Sequence, residues 1–208
     1  VVLARALGAE GYGVYAFVYA LINVLAMPAT LGMPQLVVRE TTRANTEQDW
    51  GLMRGVWRWT SITSLLFAAL VAVLVLTVLA WAGESIDAER ATTLLAGLVL
   101  IPLLGLGRLR NAALRGLGRV VQGQMPEQVL RPALFVLLVL TGAALPVRLD
   151  AAGAMTLHAL ALFVAFVAGA VMLHRSRPAA VKAGPPARYQ SRFWLATVLP
   201  LAMTQGSN

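Results

Sequence analysis

WTSITSLLFAALVAVLVLTVLAWAG, residues 59–83, runs for 25 positions without a charged side chain. At 1.5 Å per residue a helix of this length covers roughly 37 Å, more than the ~30 Å hydrocarbon core of a bilayer. In lipid the backbone N–H and C=O groups must be paired within the protein, and a single segment achieves this only as a helix. The stretch therefore reads as a membrane-spanning helix. Further charge-free stretches cover 11–38, 91–107, 132–147, 151–173 and 193–208. The fold class that follows is all-α, a polytopic membrane helix bundle.

Composition agrees. Charged residues are 12% of the chain, against about 25% in soluble domains, and mean hydropathy is +0.74. Net charge is +8. In a soluble protein that excess would suggest nucleic acid. In so apolar a chain it marks loops at the cytoplasmic face and anionic membrane lipids as partners, and nucleic acid is excluded. There is no cysteine, so neither a disulfide framework nor a thiolate metal site exists.

The basic residues are distributed unequally. Connections around 39–58, 108–131 and 175–192 hold fourteen Lys and Arg, and the opposite side holds only Arg5, Arg90 and Arg148. That asymmetry orients the bundle with the richer side in the cytoplasm. The stretches at 91–107 and 132–147 are short for a span, so Arg108 and Arg131 are expected near the membrane boundary. The sequence divides into a helix bundle at 1–174 (the end of one helix and five more), a flexible Pro- and Ala-rich cytoplasmic linker at 175–192, and the start of another helix at 193–208. The chain is expected to be a piece of a longer polytopic protein.

Two polar clusters stand out as candidate sites. In RLRNAALRGLGR (108–119), Arg108, Asn111, Arg115 and Arg119 share one helical stripe, while Arg110 falls on the opposite face and reads as an anchor. The stripe serves either as a lipid-phosphate anchor or as a reader of an anionic substrate. In VVQGQMPEQVLRP (120–132), Glu127 and Arg131 have the spacing of an i,i+4 ion pair, with Gln124 and Gln128 nearby. Pro132 lies inside that helix and should kink it. Arg39 and Glu40 close an earlier helix that Pro28 and Pro34 are expected to bend, and Asn23, Thr30 and Gln35 lie within it. Adjacent residues on a helix diverge, so Arg39 and Glu40 are expected to have separate partners. His158, alone in an apolar run, reads as a hydrogen-bonded packing residue. The five tryptophans fall near helix ends, as in an aromatic belt. No catalytic, cofactor or metal motif is present, and no cofactor is expected.

Three stretches carry a family resemblance. LARALGAEGYGVYAFVYAL (3–21), LGMPQLVVRE (31–40) and LRGLGRVVQGQMPEQVLRP (114–132) are similar, in order and spacing, to polysaccharide biosynthesis proteins. These are Wzx-like oligosaccharide flippases of the multidrug/oligosaccharidyl-lipid/polysaccharide exporter superfamily. The resemblance implies the N-terminal lobe of a two-lobed, alternating-access transporter in the bacterial inner membrane, not an enzyme. Its substrate class would be an isoprenoid pyrophosphate-linked oligosaccharide, with polymerase or export machinery as further partners. Arg39, Arg108, Arg115, Arg131, Glu127, Gln124 and Asn111 are the candidates for holding the pyrophosphate. A drug/cation antiporter of the same superfamily and a membrane glycosyltransferase or polymerase are the alternatives. The first would need a membrane-embedded acid, the second a sizeable outer loop.

Overall fold

The computed structural model describes residues 2–27, 32–83, 86–144, 149–179, 181, 186–191 and 193–197. Among these there is no strand, and the fold is an all-α helix bundle. The named helices are α1 (Val2–Ala26), α2 (Met33–Thr46), α3 (Trp50–Ala82), α4 (Ala88–Leu98), α5 (Leu100–Gly116), α6 (Val120–Met125), α7 (Arg131–Ala144) and α8 (Ala151–Ser176). Among the described residues, five helical segments are long and apolar enough to span a bilayer: Leu3–Ala26, Trp50–Ala82, Ala88–Gly116, Val120–Gly142 and Ala151–Ser176.

Local chemistry explains the boundaries. Asp49 caps α3 by accepting from the Leu52 N–H at 3.0 Å, and Asp150 caps α8 by accepting from Gly153 N–H at 2.7 Å. At the far end of α8, His174 and Arg175 occupy the last turn, where the helix dipole favours cations. The third span is split at Val99. Pro102 has no N–H to give the Leu98 carbonyl, and the interruption falls at that missing bond. Gly8 breaks α1 with φ 72° and ψ 179°, a conformation only glycine adopts without strain. The expected bend between Pro28 and Pro34 is a break: α1 stops at Ala26, and α2 restarts with Pro34 in its first turn, where no N–H bond is lost. Pro28 and Thr30 lie outside the described residues.

The core sits on α5, which is enclosed by α2, α3, α6, α8 and α1. Towards one end Ile22, Leu100, Ile101 and Met155 interlock, and towards the other Met33, Val37, Leu109 and Leu114 do. Leu66, Leu70, Val73 and Leu74 of α3 remain exposed, the surface that lipid solvates in a spanning helix. Trp57 and Trp194 turn inward rather than joining a belt: Trp57 donates to Thr41 Oγ1 at 2.8 Å, and Trp194 is buried against Trp59 at 5.4 Å between ring centres.

After α8 the chain is tied back to α3. The Val181 carbonyl accepts from Arg54, Arg188 N–H donates to the Gly51 carbonyl at 2.9 Å, and the Arg188 guanidinium meets Asp49 at 2.5 Å. Gly55 is required beneath this strap, because a Cβ there would collide with the Arg188 carbonyl.

Candidate functional site

The segment between Pro126 and Pro132 sets the geometry of the interior. Residues Pro126–Leu130 form a single π-turn, in which the Arg131 N–H reaches back to the Pro126 carbonyl, five residues away. The wider turn swings Glu127 and Arg131 apart, so the expected pair between them does not form. Glu127 instead meets Arg110 at 3.7 Å. Arg131 donates from Nη2 to the Tyr19 hydroxyl at 2.6 Å and to His158 Nε2 at 2.8 Å.

Arg131 opens α7, eleven residues into the helical segment that begins at Val120, so helix continues on both sides of it. Arginine only donates, so His158 Nε2 must accept and the ring proton resides on Nδ1. From there it bridges to the Tyr15 oxygen at 2.6 Å. Tyr19 and Phe135 flank the imidazole at 4.7 and 4.6 Å between ring centres. His158 is thus a hydrogen-bonded packing residue, and it also positions Arg131. Among the described residues no carboxylate pairs with Arg131, and its Nε and Nη1 have no protein partner. Half-buried, the side chain retains donors for an anion.

Arg110 corrects the reading of the basic cluster. It does lie opposite Arg108 and Arg115, but that face points into the bundle, and the residue is only 6% exposed. Its Nη1 donates to the Phe166 carbonyl at 2.5 Å, and the guanidinium lies 4.9 Å from the Phe166 ring centre. Its Nε and Nη2 are buried without a hydrogen-bond acceptor. Glycines make the room: a Cβ on Gly169 would strike the Arg110 guanidinium, and one on Gly107 would strike the Glu127 carboxylate.

The other candidates do not converge on Arg131. Arg115 is exposed and Arg108 half-buried, eight residues inside the end of its span. Asn111 lies beside Gly123 of α6 with its Oδ1 buried and unbonded, and Gln124 is half-buried on α6. Arg39 pairs with Glu40 at 2.9 Å, against expectation. Glu40 is 1% exposed and needs a cation, and the long Arg39 side chain curls along the helix to supply one.

A groove escaped the sequence reading. α5 packs against both α3 and α8, while α3 and α8 scarcely meet, so α5 floors a channel between them. A cavity of about 300 Å³ occupies it, with Ser61 and Leu65 of α3 facing Phe166, Ala170 and Arg177. It adjoins a more open one of about 580 Å³ bounded by Arg54, Arg58, His174 and Arg177. Trp57, Ser61 and Arg177 line both. Arg177 lies 5.2 Å from the Trp57 ring centre, and burial there lowers its pKa from the usual arginine value. The available signal was the pairing of Arg54 with Arg58 and of His174 with Arg177 at helical spacing, on segments more than a hundred residues apart.

No curated protein and no solved structure compared with the chain matches it. A family model described as polysaccharide biosynthesis protein matches residues 1–182, a range that holds all the named helices, the Arg131 cluster and the groove. The chain belongs to the polysaccharide biosynthesis protein family: a membrane protein with a role in polysaccharide synthesis or export.

Proposed function

We propose that the protein is a flippase of the bacterial inner membrane. It carries an isoprenoid pyrophosphate-linked oligosaccharide from the cytoplasmic to the outer leaflet, where polymerase or export machinery takes it up. The observation that carries this reading is Arg131, a cation within a candidate membrane span that keeps two nitrogens unbonded and has no carboxylate partner among the described residues. An intramembrane cation held by neutral groups is costly to maintain unless an anion passes it. A guanidinium fits a phosphate through paired N–H donors. Outward movement of the anion also runs with an inside-negative potential, by about 2.3 kcal/mol per charge per 100 mV. Arg39, Arg108 and Arg115 act earlier, drawing the diphosphate to the cytoplasmic face, while Asn111 and Gln124 add polar groups near the α5–α6 turn.

The antiporter alternative needs a carboxylate free to bind a cation. Glu127, the carboxylate in the candidate span Val120–Gly142, faces Arg110 at 3.7 Å, which favours the flippase.

The test is Arg131→Ala in a strain lacking its flippase. Surface polysaccharide should disappear while membrane levels of the protein hold. Normal polysaccharide would sink the assignment.

A further inference from the structure

The channel between α3 and α8 changes character along its length, and both walls change together. On α3, Arg54, Arg58, Ser61 and Leu65 follow one another at three- and four-residue intervals, so they lie on one face. On α8, Arg177, His174, Ala170 and Phe166 do the same in the reverse chain direction. The two walls therefore run from cationic, through small and hydroxylated, to apolar, over roughly 16 Å on each at 1.5 Å per residue. Among the described residues no carboxylate lines either cavity, and α5 contributes Leu106, Leu109 and the enclosed Arg110 to the floor. Arg177 Nε is buried at the junction without a hydrogen-bond acceptor.

We propose that this channel binds a lipid with a phosphate head: the phosphate rests among Arg58, His174 and Arg177, and the hydrocarbon lies along Leu65, Ala170 and Phe166. Charge complementarity selects the head, and the Ser61–Ala170 level, narrow in side-chain volume, lets the chain pass inward. A second helix or a soluble anion matches only one end of this gradient. The site is separate from Arg131 and does not depend on the flippase reading. An isoprenyl phosphate and an acidic glycerophospholipid share the required chemistry.

The experiment uses the full chain in nanodiscs of phosphatidylcholine, with farnesyl pyrophosphate as the probe. Arg58→Gln with Arg177→Gln should weaken binding about tenfold or more, the loss of charge-assisted hydrogen bonds. Leu65→Trp, which narrows the apolar end at an exposed position, should weaken it several-fold without touching a charge. Arg175→Gln, on the same membrane face but outside the channel, should leave it unchanged. Displacement of the probe by phosphatidylglycerol would assign a glycerophospholipid, and resistance to displacement an isprenyl lipid. Equal losses in all arginine variants, indifference to Leu65→Trp, or competition by inorganic pyrophosphate as effective as the probe itself would overturn the proposal. Because Arg131 would itself meet a pyrophosphate, binding is also measured with Arg131→Ala: there the dependence on Arg58, Arg177 and Leu65 should persist, and its loss would overturn the proposal by placing the probe at Arg131.

Discussion

Arg110 and Arg131 are both arginines of the bundle that meet the π-turn, the first through Glu127 and the second at its end, and they are housed in opposite ways. Arg110 is enclosed, faces a carboxylate at 3.7 Å, rests on Phe166 and fits only because Gly169 and Gly107 have no side chain. Arg131 has only hydroxyl and imidazole partners and keeps two nitrogens free. The first arrangement consumes its charge within the protein. The second leaves charge to be used. The π-turn makes the division, since an ordinary turn would have joined Glu127 to Arg131 and left Arg110 without a counter-ion.

This contrast can be broken by substitution. The largest expected change is in stability: Arg110→Met strands Glu127 and should cost about 3 kcal/mol, read as a fall in unfolding midpoint in detergent. Adding Glu127→Leu should recover most of that loss, because an apolar pair of similar volume replaces the ions. No recovery would mean that Arg110 holds the bundle by something other than its pair. Next, Gly169→Ala should cost on the order of 2 kcal/mol, and much less when Arg110 is already Met, because the clash is with the guanidinium. Equal costs in both backgrounds would place the strain in the α5–α8 backbone. At the Arg131 end the readout moves to transport. His158→Phe keeps the ring stack and removes the acceptor, and should slow translocation about tenfold with a stability change near 1 kcal/mol. The smallest effect belongs to Tyr19→Phe, which removes one of two acceptors and should slow transport by only about threefold. A larger effect from Tyr19→Phe than from His158→Phe would reverse the assigned roles.

Helix content was legible because it depends on long averages: 25 charge-free residues survive any local irregularity. The irregular backbone at 126–132 was also legible, from its two prolines. What the irregularity did to side-chain directions was not. The stripe geometry correctly opposed Arg110 to Arg108, yet α5 is surrounded on most sides, so opposition alone does not say which face is inside. Arg39 and Glu40 illustrate the same limit at shorter range: Cβ directions diverge between neighbours, but burial of Glu40 recruits the nearest long cation. The α3–α8 channel depends on two helices failing to touch, and pairwise spacing within either helix carries no trace of that.

The strap from Arg188 gives the channel a mechanical coupling. Asp49 divides its carboxylate, one oxygen ending α3 and the other gripping Arg188, so the residues after α8 are hitched to the helix that forms the opposite wall. The two walls of the channel are therefore joined by the chain at its mouth as well as by α5 at its floor.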